Sequence, residues 1–92
     1  MIGIWRTALA AALLVLSSTA LAVDEIEKVN INTADATTLA RVLKGVGQSR
    51  AEAIVQYREE HGEFVDIYEL ANVKGIAERT VEMNADRIVL ED

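Results

Sequence analysis

The segment Leu43-Lys44-Gly45-Val46-Gly47 returns thirty residues later as Val73-Lys74-Gly75-Ile76-Ala77. Each copy lies between two stretches with helical patterning, so each reads as helix, glycine hairpin, helix. A unit this small cannot bury its own apolar face, and a repeat at this spacing means stacked supersecondary units. Two copies covering each other give an all-α domain of four to five short helices. The segment Val29-Asn30-Ile31-Asn32 alternates for only four residues, which is short for a strand.

The helices follow from spacing and caps. A first helix is expected over about residues 33–43, with Asn32 as N-cap, Asp35 in its first turn, and an inward stripe of Ala36, Leu39, Ala40 and Leu43. A second is expected over about 48–60, with Ala51, Ile54 and Val55 on one face and Gly62 as C-cap. A third, short helix starts after Asp66. There Asp66 and Glu69 have the spacing of a capping box, and Val65 and Leu70 that of a hydrophobic staple. A fourth runs over about 77–84, with Ile76, Thr80 and Val81 inward. Residues 85–90 are expected as a last turn or short helix carrying Ile88.

The first 22 residues have a different character. Arg6 and the amino terminus are followed by a nine-residue apolar run, Ala8 to Leu16, and then Ala20-Leu21-Ala22. A charged start, a short apolar stretch and an A-x-A site in that order form a signal peptide cleaved after Ala22. An uncleaved anchor fits less well, because Ser17, Ser18 and Thr19 interrupt the roughly 20 apolar residues that a span needs. The expected organisation is signal peptide 1–22, flexible arm 23–28 and helical domain 29–92, with a periplasmic mature protein. Cleavage removes Arg6 alone of the charged side chains, so the formal charge moves from −6 to −7.

Composition excludes several chemistries. With no cysteine there is no disulfide framework, thiolate metal site or cysteine nucleophile. A single histidine leaves no multi-His zinc site and disfavours a Ser-His-Asp triad. A mature chain of this size has no room for a deep catalytic pocket. The reading is a binding module, not an enzyme, with no cofactor and no small-molecule substrate.

The first hairpin has the makings of an anion site. Gly45 and Gly47 permit positive φ and leave the backbone unshielded while Val46 plugs inward. The next helix starts at once, so its first amides lack internal partners and its positive end faces outward. Arg50, Ser49 and Lys44 stand near enough to add contacts. Residues 41–58 carry a net +3 in an otherwise acidic chain, and residues 59–72 carry −5. Affinity for a polyanion should therefore be modest and strongly salt-dependent. Against this, a Gly-x-Gly between helices is often only a tight turn, and Arg50 could be a solvated charge.

Other residues have blander readings. His61 at a helix end suits a capping or dipole-favoured role better than a metal site. Glu59, Glu60 and Glu63 form a solvated face. Phe64 is expected in the core and Tyr57 partly buried, although both could stack on bases.

The ordered set Val29-Asn30-Ile31-Asn32-Thr33-Ala34, then Leu43 to Ile54, Tyr57-Arg58, His61-Gly62, Phe64, Leu70 and Val73-Lys74-Gly75-Ile76 resembles the helix-hairpin-helix domain of ComEA-type competence proteins. The resemblance covers about residues 29–90. It implies a tandem helix-hairpin-helix (SAM-like) domain that binds double-stranded DNA without sequence specificity, in DNA uptake during natural competence. Partners implied are the DNA phosphate backbone and the inner-membrane uptake machinery. Carried over, Lys44, Gly45, Val46, Gly47, Ser49 and Arg50 would hold phosphates. Lys44 departs from the family in standing where many relatives carry proline. Lys74, Gly75, Ile76 and Arg79 are the matching positions of the second hairpin, which departs from the pattern too. Ala77 stands where the family usually has glycine, and Glu78 puts negative charge where a phosphate would lie. The second hairpin is thus expected to be mainly structural, with Lys74 and Arg79 as weak contributors. The alternative function is an envelope protein-interaction adaptor that uses the acidic segment.

Overall fold

An aspartate opens the first helix of each repeat. In α1 (Ala36–Val42) the Asp35 carboxylate accepts from the Thr38 amide at 2.8 Å. In a short 3-10 helix (Ile67–Asn72) the Asp66 carboxylate accepts from the Tyr68 amide at 2.7 Å. Each cap satisfies one of the amides that a helix start leaves unpaired. The computed structural model describes residues 25–92. The expected signal peptide, and the start of the arm after it, lie outside the described residues.

The order of elements is β1 (Val29–Asn30), α1, α2 (Gly47–His61), the 3-10 helix, α3 (Glu78–Met83) and β2 (Ile88–Val89). The architecture is mainly helical, as the repeat requires. α2 ends at Gly62, whose φ of +90° with ψ of −176° is a conformation open essentially to glycine alone. Leu39, Ala51, Ile54 and Val81 are buried, together with Phe64 and Ile31, in one core. Both hairpin centres join it, for Val46 and Ile76 line the same apolar interior as Leu43, Ile54, Leu70 and Val81. Tyr57 is half-buried and stacks on Phe64 with ring centroids 5.3 Å apart. His61 lies over the same Tyr57 ring at 4.2 Å, at the basic end of α2.

Several expectations are corrected. The first helix starts at Ala36, not near Thr33, because the amides of Thr33 and Ala34 turn back onto the Asn30 carbonyl. Asp35 takes the capping role expected of Asn32. The segment after Asp66 winds as a 3-10 helix. Glu69 does reach back, but it accepts from the Val65 amide at 3.0 Å, one residue ahead of the cap. Val65 is left 82% exposed, so no staple to Leu70 forms. The last segment is not helical, since residues 84–87 turn and β2 then pairs in parallel with β1, Val29 against Ile88 and Asn30 against Val89. This short ladder ties the start of the domain to its end, with Val29 N bonded to Arg87 O at 2.7 Å.

Candidate nucleic-acid interface

The first hairpin turns through Gly45 at φ +80°, Val46 in the right-handed region at φ −92°, ψ −53°, and Gly47 at φ +73°. A right-handed residue followed by a positive-φ residue aims successive amides into one concavity, a geometry that receives anions. Here the concavity opens the 15-residue α2. α2 has no side-chain cap, in contrast to α1 and the 3-10 helix. Among the described residues no backbone acceptor outside the helix takes the amides of Gly47, Gln48 or Ser49. Those three residues are exposed, while Val46 is buried at 2% exposure. α2 adds the positive end of its dipole to the same spot.

Lys44, Ser49 and Arg50 surround this opening and are exposed. Arg50 is not a free charge. Its Nε donates to the Gly75 carbonyl at 2.8 Å, and Nη1 reaches Val46 O at 3.5 Å. The guanidinium is held between the two hairpins with its outer edge exposed. Ser49, Arg50, Lys74 and Gly75 line one shallow open recess with Ala53, so the hairpins share a face. Arg79 is exposed on α3 and forms no ion pair among the described residues.

The rest of the basic block is committed elsewhere. Arg41 pairs with Glu27 at 2.8 Å, which lowers the Glu27 carboxyl and raises the guanidinium from their ordinary values. Arg58 donates to the Ile31 carbonyl at 2.9 Å. The +3 counted along the sequence therefore overstates the positive charge at the site.

The second hairpin differs in backbone as well as in charge. Gly75 has φ +92°, but Ala77 is extended at φ −91°, ψ 159°, and the Ile76 amide is used on Val73 O at 3.0 Å. No second concavity forms, and Glu78 occupies the first turn of α3.

Two asparagines make long-range tethers that the reading of the sequence does not give, and one of them, Asn84, reaches the first hairpin. Asn84 is 1% exposed at the end of α3. Its Oδ1 accepts from Lys44 N at 2.8 Å, and its Nδ2 donates to Lys44 O and Thr80 O, both at 2.9 Å. Asn32 does similar work at the far edge. It accepts from Phe64 N at 2.6 Å and donates to Phe64 O and Leu90 O at 3.1 Å. No local pattern marks either residue, because every partner but Thr80 is at least 32 positions away.

Residues 24–89 match the family model described as the helix-hairpin-helix motif. The chain belongs to the helix-hairpin-helix family. It is 51% identical over 63 residues to an uncharacterized protein of Haemophilus influenzae, covering 68% of this chain and 56% of that one. It is 50% identical over 54 residues to ComE operon protein 1 of Bacillus subtilis, covering 59% of this chain and 26% of that one. An uncharacterized protein of Neisseria meningitidis serogroup A is 42% identical over 57 residues, 62% of this chain and 7% of that protein. The chain thus spans about half of the Haemophilus relative and a quarter of the Bacillus one. Together these matches make it a ComEA-like helix-hairpin-helix protein. Among the described residues no three His, Asp or Glu side chains gather as a metal site, and no helix is long and apolar enough to cross a membrane.

Proposed function

We propose that this protein binds double-stranded DNA through its phosphate backbone, without reading sequence, at the first hairpin. The observation that carries the proposal is the uncapped start of α2, where a right-handed Val46 and a positive-φ Gly47 turn free amides outward beside Lys44 and Arg50. The amides of Gly45, Val46 and Gly47, the Ser49 hydroxyl and the Arg50 edge hold one stretch of backbone. Lys44 adds charge, and Lys74 and Arg79 add weaker contacts from the second hairpin. Phosphate contacts position a protein on DNA but carry no sequence information. The family match and the similarity to ComE operon protein 1 support a role in DNA uptake during competence. The charged start, apolar run and A-x-A site that end at Ala22 support export to the periplasm, and from there the bound DNA would pass to inner-membrane machinery.

The test is fluorescence anisotropy of a labelled duplex across a salt titration. Two charged contacts, Lys44 and Arg50, give an expected slope of log K against log salt of roughly −2. Equal affinity for duplexes of unrelated sequence is expected. Absence of binding at low salt would refute the proposal. Mass spectrometry of the exported chain tests cleavage after Ala22.

A further inference from the structure

We infer that Asn84 is a positioning residue for DNA binding, through which the second repeat sets the geometry of the first hairpin without touching DNA. The inference rests on the function proposed above.

Asn84 lies at the end of α3, yet two of its three hydrogen bonds go to a single residue of the other repeat. Oδ1 accepts from Lys44 N and Nδ2 donates to Lys44 O, so both peptide groups of Lys44 are held from one planar side chain. A primary amide is the side chain that donates and accepts in one plane; a carboxylate lacks the donor and leucine lacks both. Lys44 is the last residue before the glycine turn. Leu43 is tied to α1 through Leu39 O, whereas α2 begins with no side-chain cap. The direction of the Val46, Gly47 and Gln48 amides is therefore inherited from Lys44. The neighbouring Met83 reinforces this contact, since its Cε lies 3.3 Å from where a Cβ on Gly45 would be. Two successive residues at the end of α3 thus abut the hairpin entrance. The buried amide has a cost unless all its partners are met, and they are met by Lys44 and by Thr80 O.

The experiment compares the full chain with Asn84→Leu, Asn84→Asp and Asn32→Ala, by anisotropy on a labelled duplex at a temperature where circular dichroism shows each folded. Asn32→Ala is the control, because it removes an equally connected amide whose partners are Phe64 and Leu90. Folded Asn84 variants are expected to bind about ten-fold more weakly, about 1.4 kcal/mol, with the salt slope of the native protein, since no phosphate contact is lost. Asn32→Ala is expected to melt earlier and bind as the native protein does. Folded Asn84 variants with native affinity overturn the inference, as does a salt slope that falls with affinity, which would mean a direct contact. Asn84→Asp replaces Asn84→Leu if the latter is unfolded. If both are unfolded, the residue is structural and the inference fails. A native chain that binds no duplex sinks the proposed function itself, a result distinct from native binding that Asn84 variants leave untouched.

Discussion

Arg50 and Gly75 are joined across the repeat, with Nε of the arginine 2.8 Å from the glycine carbonyl. The side chain lies flat over the second hairpin, so that a Cβ on Gly75 would fall 3.2 Å from Nε and 3.3 Å from Cγ. The second hairpin is therefore a bracket for the strongest charge at the first. Asn84 supports the first hairpin from the opposite direction, and the two repeats brace each other.

Gly75→Ala should act twice. Its φ of +92° is strained for any L side chain, and the new methyl group pushes on Arg50. The conformational cost is about 1–2 kcal/mol. A lower melting temperature together with weaker duplex binding is expected. Gly47→Ala shares the positive φ but meets open space, so its stability loss comes from the backbone alone. Calorimetry beside anisotropy separates the two.

Charge reversal at the opening should be decisive. The double variant Lys44→Glu, Arg50→Glu is expected to abolish duplex binding while the domain still folds, with a somewhat lower melting temperature because the Arg50 bond to Gly75 is lost. Arg50→Lys should retain charge but lose the hold on Gly75, because an ammonium lacks the planar fork of guanidinium. Intermediate affinity is expected there. Reversal of Glu59 and Glu63, both exposed in the acidic segment, should leave DNA binding unchanged or slightly improved. A gel shift by the double variant equal to that of the native chain would contradict the site.

The parts legible in the sequence are those set by neighbours along the chain. Glycines at 45, 47, 62 and 75 mark turns because only a local positive φ is involved, and the inward positions Leu39, Ala51, Ile54 and Val81 follow the apolar spacing of their own helices. What escaped depends on distant partners. A parallel pair of two-residue strands carries no pattern, and it joins positions 59 apart, Val29 and Ile88. Asn32 looks like a cap because asparagine often is one, but the turn at Asn30 and the pull of Phe64 and Leu90 remove it from the helix. The basic block looked stronger than it is, because Glu27 and the Ile31 carbonyl claim two of its arginines.

Asn32→Ala should be strongly damaging although Asn32 lies outside the apolar core. It removes three hydrogen bonds and leaves the amide and carbonyl of the buried Phe64 short of partners. Stranded buried groups cost about 1–3 kcal/mol each. Even the lower bound of about 2 kcal/mol for the two groups, at about 4–8 °C per kcal/mol for a domain of this size, gives an expected fall in melting temperature of at least roughly 8–16 °C. A loss of under about 3 °C, less than 1 kcal/mol on that scale, would mean that solvent replaces the tether freely.

Acid should weaken the start of α1. Hydrogen bonds from Thr38 to the Asp35 carboxylate hold its pKa below the ordinary 3.8. A carboxyl depressed in the folded state favours folding when ionised in both states, above the unfolded value. That contribution fades as pH falls below 3.8 and through the lower native value. Asp35→Asn keeps an oxygen to accept from Thr38 but does not titrate. Between neutral pH and about pH 5 the two proteins should differ by a constant amount, and the gap should narrow on further acidification. Parallel stability curves down to about pH 2 would show that the cap contributes no proton linkage.

The second hairpin offers a gain-of-function test. Two features separate it from the first, an extended Ala77 where a positive-φ residue would be needed, and Glu78 in the first turn of α3. Ala77→Gly alone frees the backbone but leaves the carboxylate, and added flexibility costs about 0.4–1 kcal/mol of stability. Affinity should not rise. Glu78→Lys alone removes repulsion and adds charge, so a modest gain with a steeper salt slope is expected. The pair together should exceed the sum of the two, because an anion needs both a concavity of amides and freedom from a competing carboxylate. Strict additivity would mean that the introduced ammonium acts as a distant charge and that the second hairpin cannot be turned into a phosphate site.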